Sequence, residues 1–423
     1  MTKRILEGVR VIDLTQFFVG PHATLLLAGL GAEVIRVDNP ATGDSLSDSP
    51  IYAGLEGVSF ERKTPDDLGV PFLKRARGKK AVTLNLKHPE GVRLLMALSD
   101  KADVLVENFS VGVTKRLGID FETMHRQNSR LVYCSITGYG QTGPDAHLKC
   151  FDAAAQAASG LMSMTGQPGG PPTKAGTALA DSISSVFGLA GILAALYHQE
   201  RTGEGQHVDV AMVDSIFSLI YDDPLEGYQQ LGLDYRQGNR VPRVSPFNSY
   251  KTKDRWLIIG TATDVHWQNL CDVMGCPELK DHPDYATSSN RLLRNDQVDA
   301  IVAEWAATQV GDEAMTTLRD AGIVCSPIND IEDVKAWPHI QARGMIEDLV
   351  HPTLGPLEGL NASIDGLNAS IMDLEKKVAK RNWRRKQADG GLKGRSVLLP
   401  KELFTKHFGV TADDDELTKR LLG

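Results

Sequence analysis

The sequence predicts a doubly wound α/β domain, on two observations. Residues 10–37 read strand, helix, strand, the βαβ unit that builds a parallel sheet. The alternation of strand and helix patterns then continues to residue 136. R-V-I-D-L at Arg10–Leu14 is a short apolar strand, and the chain turns at Gly20-Pro21 into a helix. Pro21 suits the first helical position because its missing N–H costs nothing there. Gly31 is the expected C-cap glycine of that helix, and Glu33–Val37 is the second strand. A-V-T-L-N-L at 81–86 alternates as a strand, and Pro89–Ser99 is an amphipathic helix. Asp103–Val106 and Leu131–Ile136 are further strands, separated by a helix at Phe121–Asn128. In open sheets of this kind ligands bind beyond the carboxyl ends of the strands. Phe17–Gly20, Asn108–Ser110 and Thr137–Gly140 therefore share one rim.

Residues 38–77 are a long segment rich in Pro, Gly, Ser and Asp, which in a compact domain marks a functional or partly disordered loop. It runs into a basic cluster, Lys74, Arg75, Arg77, Lys79 and Lys80. Two readings stand for it: a phosphate contact site at the rim of the sheet, or a solvated charge run.

Composition narrows the class. The 423 residues, 42% hydrophobic and 24% charged, suffice for two or three domains with a large core. A net charge of -8 argues against nucleic acid as a partner. The five cysteines are scattered without zinc-site spacing, so reduced thiols and no metal are expected. No apolar run approaches the ~20 residues of a membrane span, and the N-terminus has no apolar leader. A soluble cytoplasmic protein is the expectation. No G-x-G-x-x-G follows a strand and no phosphate-binding P-loop is present, which argues against a nicotinamide dinucleotide or P-loop nucleotide site.

The stretch 172–215 carries the chemistry. Small residues lead to Asp181, a long apolar helix follows at about 182–199, and a G-E-G turn enters a strand at 206–211. By position alone Asp181 is a helix N-cap, worth ~1 kcal/mol. As a carboxylate with an ordinary pKa near ~4 it is ionised at neutral pH and can attack a carbonyl carbon without a general base. The N–H groups at the start of the helix, with Gly138 and Gly140, are expected to stabilise the resulting oxyanions. Asp152 is a candidate helper, or else the N-cap of a helix at 153–159.

L-E-G-V-R-V-I-D-L-T, G-A-E-V-I-R-V-D-N-P at 31–40, K-A-D-V-L-V-E-N-F-S-V-G-V at 101–113, S-I-T-G-Y-G-Q-T-G-P at 135–144, the Asp181 segment and G-I-V-C-S-P at 322–327 resemble the class III CoA-transferases. The resemblance covers about residues 5–355. It implies transfer of coenzyme A from an acyl-CoA donor, such as succinyl-CoA, to a carboxylic acid, with CoA as substrate and no tightly bound cofactor. It implies a homodimer of interlocked chains. Each chain has a Rossmann-like large domain from both chain ends (1–222 and 329–423) and a smaller α/β domain (223–328). A hetero-oligomer with a catalytically silent subunit is the non-enzyme alternative. Asp181 becomes the nucleophile, with Asp152 matching a family Glu. CoA contacts carry over to Phe18 and Val19, to Leu84, Asn85, Leu86 and Lys87, to Asn108, Phe109 and Ser110, to Arg116, and to Leu148, Lys149, Cys150 and Phe151.

The related α-methylacyl-CoA racemases use a His immediately before an acid. That position is Phe151 here, so the proton-shuttling base is missing. Formyl-CoA transferase carries a Gln at Phe18, a glycine-rich loop in mid-chain and an Arg at Asn39. These departures argue against oxalate as acceptor. Arg240 and Arg243 are candidate substrate residues, as bidentate partners of a second carboxylate, or ordinary exposed arginines. His266 with Trp267 reads as a helix start beside a buried ring. At the chain's end, Leu360, Ile364, Leu367, Ile371 and Leu374 keep heptad-like spacing and predict a helical pairing face.

Overall fold

The computed structural model describes residues 4–363. The described residues divide into two compact units: 4–159 with 176–222 and 338–363, and 160–175 with 223–337. Residues 160–175, read from the sequence as part of the large domain, thus group with the second unit.

The first unit contains β1 Arg10–Asp13, α1 Val19–Gly29, β2 Glu33–Asp38, α2 Val70–Ala76, β3 Lys80–Thr83, α3 Pro89–Ser99, β4 Val104–Glu107, α4 Phe121–Gln127 and β5 Val132–Thr137. It continues with α5 Asp152–Ala158, α6 Leu179–Thr202, β6 His207–Ala211 and α7 Met212–Ile220. The six strands form one sheet in the order β3-β2-β1-β4-β5-β6, and every pairing is parallel. This is the doubly wound dinucleotide-fold order, with its switch point between β1 and β4.

Alternation along the strands builds a core on each face. Val11, Val34, Val104, Val132 and Cys134 pack against α1 and against Leu189, Ile192 and Ala195 of α6. Ile12, Ile35, Val82, Leu105 and Tyr133 face Leu94, Leu95 and Leu98 of α3. Among the described residues, α6 alone has the length and apolarity of a membrane-spanning helix. Its inner face is committed to the sheet, where Leu189 and Ile192 are buried.

Residues 38–77, expected as loop, have structure of their own. A three-stranded antiparallel sheet (52–54, 57–59, 68–69) precedes α2. Ala53 and Leu73 share a small core with Leu354 and Leu357. Strands this short leave no readable period in a polar, Gly-rich segment.

The second unit contains β7 Phe247–Lys251, β8 Trp256–Gly260, α8 Asp264–Met274, α9 Asn295–Ala307, α10 Gly311–Asp320 and β9 Val324–Pro327. Its antiparallel sheet β7-β8-β9 supplies Tyr250, Leu257 and Ile259 to a core with Leu270, Val298 and Leu318. Trp267 is fully buried there, and the His266 N–H is capped by Thr263 Oγ1, so this pair is structural. The chain then forms a strand pair, β10 Ile346–His351 and β11 Gly355–Ser363. Leu360 lies in β11, so the helical pairing face does not begin where its spacing suggested. The expected helix from Ile364 on, and the charged runs beyond it, lie outside the described residues.

Candidate active site

The switch point is tied together by a side-chain amide. Asn108, one residue past β4, donates from Nδ2 to Gln16 O at 2.8 Å and accepts from Gln16 N at 2.9 Å. Both polar atoms of Asn108 are used to hold the β1–α1 loop against the β4 loop. Phe109 N–H donates in turn to the Glu107 carboxylate at 2.8 Å. Burial raises the Glu107 carboxyl to about 7, although the Ser135 hydroxyl and the Phe109 N–H favour its anion. Ser110 and Arg116 are exposed on the same rim.

Beneath the β1–α1 loop lies a buried ion pair. Lys79 Nζ donates to Asp13 Oδ2 at 3.0 Å, to Pro21 O at 2.8 Å and to Thr24 Oγ1 at 2.7 Å. The two side chains are 2% and 0% exposed. Of the basic cluster, Lys79 is therefore a structural cation and not a phosphate contact. Lys80 pairs with Glu33. The loop itself is held in an unusual shape. Phe17 has φ +65°, the left-handed region that costs a bulky side chain energy.

Phe17 meets Phe151 edge-to-face, with ring centroids 5.9 Å apart. Phe151 is 67% exposed, so the position offers an apolar ring and no base. Phe18 is the residue before α1, and Val19 is buried at its start. The Arg75 guanidinium lies 3.5 Å above the centre of the Phe18 ring, and the His22 ring packs edge-on against it at 5.5 Å. Sequence reasoning saw Arg75 only as one member of a basic run. Its placement over Phe18 depends on the fold of residues 38–77.

Leu84, Asn85, Leu86 and Lys87 follow β3. Leu84 is buried, Leu86 packs on the core, and Asn85 Oδ1 accepts from Lys87 N at 3.1 Å. Leu148 and Lys149 are exposed. Gly138 lies flush against Cys150, since a Cβ there would come 2.1 Å from Cys150 Cβ. Gly140 has φ +83°, a conformation that suits glycine.

Asp181 stands differently from its expected place. Helix α6 starts at Leu179, so Asp181 is its third residue and not its cap. The capping carboxylate comes from elsewhere. Asp152 Oδ1 accepts from Ala180 N at 2.8 Å and from Asp181 N at 3.3 Å. Asp152 is itself the first residue of α5, and its Oδ2 accepts from Gln156 Nε2 at 2.7 Å. The Asp181 carboxyl is raised to about 7, first by burial, then by the Asp152 charge, with Arg75 opposing. An ordinary, fully ionised carboxylate at neutral pH is thus the wrong description: burial beside a like charge disfavours the anion. The same two carboxylates, behind burial, push up the neighbouring Cys150 thiol.

The two candidate substrate arginines lie in the second unit. Arg240 is occupied by Asp299 and Asp296, each at 2.7 Å. Asp299 also accepts from Asn248 at 2.8 Å and Tyr250 at 2.5 Å. Arg243 pairs with Asp223 at 3.1 Å. The bidentate grip expected for a substrate is, for Arg240, made to the protein's own carboxylates.

A doubly wound sheet, a rim built at its switch point and a half-buried carboxylate in the first turn of a helix make up the candidate site. Known proteins narrow this. The sequence profile of CoA-transferase family III matches residues 6–372. A succinate–glutarate CoA-transferase of Agrobacterium fabrum is 35% identical over 346 residues, covering 81% of this chain and 85% of its own. A succinyl-CoA:mesaconate CoA-transferase of Haloarcula hispanica is 36% identical, covering 82% of this chain and 86% of its own. The crystal structure of a CaiB/BaiF family protein from Brucella suis superposes with a TM-score of 0.71 at 32% identity, covering 82% and 90% of the two chains. This chain belongs to CoA-transferase family III, whose members use CoA thioesters as substrates.

Proposed function

We propose that this chain moves coenzyme A from an acyl-CoA to a dicarboxylic acid through a covalent intermediate on Asp181. The observation that carries the proposal is the cap supplied by Asp152. It satisfies the N–H groups at the start of α6, so the Asp181 carboxylate is not needed there. In this reading Asp181 attacks the thioester carbonyl, giving a mixed anhydride and CoA thiolate. The thiolate attacks the Asp181 carbonyl of the anhydride, giving aspartyl-CoA thioester and releasing the donor acid. The acceptor carboxylate attacks that thioester, giving a second mixed anhydride and expelling CoA thiolate, which then attacks the acceptor's acyl carbonyl and releases Asp181 as a carboxylate. Each bond broken resembles one formed, which suits covalent catalysis near thermoneutrality.

Gly138 and Gly140 N–H groups serve the oxyanions in this reading. Phe18, Val19, Leu84–Lys87, Asn108–Ser110, Arg116 and Leu148–Phe151 line the path of CoA. The dicarboxylate class is supported by the two relatives named for succinate, glutarate and mesaconate. A cytoplasmic homodimer of interlocked chains completes the proposal. Exposed Phe187, Tyr197, Phe217 and Tyr221 on α6 and around α7 support association. Light scattering measures it.

The decisive experiment is acyl-CoA plus hydroxylamine followed by peptide mass spectrometry. The expected result is a hydroxamate on Asp181. Full transferase activity in Asp181→Ala would overturn the mechanism.

A further inference from the structure

Arg75 is a half-buried cation at the site with no ion pair among the described residues. One of its nitrogens, Nη1, donates to Pro71 O at 3.1 Å, within its own helix α2. Its flat face rests on Phe18 at 3.5 Å, which fixes the plane of the guanidinium. The negative charges that act on it are Asp181 first and Asp44 second. Asp44 is committed to capping residues 45–48 through Leu46 N at 2.8 Å. Beside it, His22 packs on the same ring with a buried Nδ1 that has no hydrogen-bond partner. A desolvated guanidinium without a carboxylate is costly to keep, and its fork matches a carboxylate in two parallel hydrogen bonds. Arg240, by contrast, already holds two carboxylates.

We infer that Arg75 is the specificity-determining residue for dicarboxylic acids. Its guanidinium receives the carboxylate that does not react while the other meets the acyl group on Asp181. This rests on the reading of Asp181 as the nucleophile. Phe18 acts as the platform that holds the guanidinium in plane.

The test uses the full chain with acetyl-CoA as donor, so that the donor brings no second carboxylate. Glutarate and hydroxylamine are compared as acceptors. Arg75→Met is expected to raise KM for glutarate about 10- to 100-fold, the loss of a charge-assisted pair, with hydroxylamine capture held within about threefold when both are measured well above pH 7, where Asp181 stays ionised without the Arg75 charge. Arg75→Lys, which keeps the charge without the fork, is expected to fall between. An unchanged glutarate KM overturns the inference. So does an equal loss with both acceptors, which would make Arg75 only a counter-charge for Asp181. Failure of the wild type to form the hydroxamate would instead overturn the Asp181 reading, so the two failures are distinguishable.

Discussion

Asp152 Oδ1 accepts the backbone N–H of Asp181 at 3.3 Å, across 29 positions of sequence. The side chain that caps α6 is thus separate from the side chain proposed to react. The same contact places one carboxylate beside another, and it raises the proton affinity of Asp181.

Asp152→Asn keeps an oxygen that can accept the two N–H groups and removes the charge. The acid limb of kcat/KM against pH is expected to move to lower pH, because the like charge that favours protonated Asp181 is gone. An acid limb that stays in place would show that Asp152 does not act on Asp181 electrostatically.

In the wild type, kcat/KM is expected to rise through pH about 7 as Asp181 ionises. Stability moves the other way. A carboxyl whose folded pKa lies above its unfolded value contributes stability at low pH, lost as pH rises from about 4 to about 7. Asp181→Asn removes that liability. It is expected to melt several degrees above the wild type at pH 8, with the gap closing below pH 4. Calorimetry at both pH values checks this.

Asn108→Ala breaks both bonds to Gln16 and frees the β1–α1 loop from the β4 loop. A rise of about tenfold or more in KM for acyl-CoA is expected, with kcat much less affected. Steady-state kinetics with varied acyl-CoA would detect the split, and an unchanged KM would remove the loop contact from the site.

Lys79→Met leaves Asp13 as a buried, uncompensated carboxylate. The expected cost is about 3–5 kcal/mol, measured by urea unfolding. Asp13→Asn with Lys79→Met should recover most of that loss. A single variant as stable as the double would contradict the pairing.

Arg240→Ala strips the cationic partner from Asp299, which is 7% exposed and keeps only the neutral donors Asn248 and Tyr250. Lower stability, by about 1–3 kcal/mol, is expected with an unchanged KM for the acid acceptor. A KM that rises without loss of stability would return Arg240 to the substrate site.

The strands and helices of the sheet were legible because each announces itself within its own residues. Val34 and Ile35 alternate between two cores, and Pro89 opens an amphipathic helix. The site was legible in part. Asp181 stood out by its place before a long apolar helix, and Phe151 excluded a base at its position. The structure moved Asp181 inside that helix, gave the cap to Asp152, and paired Arg240 with Asp299 and Lys79 with Asp13.

What the sequence by itself determined was the succession of elements and the chemical groups at their ends, because periodicity and turn residues act over a few positions. What only the tertiary structure decided was which groups meet: Asp152 with Asp181, Asp13 with Lys79, Arg75 with Phe18. Those pairs are separated by tens of residues. Burial and neighbouring charge, which raise Asp181 to about 7, exist only once the chain has brought them together.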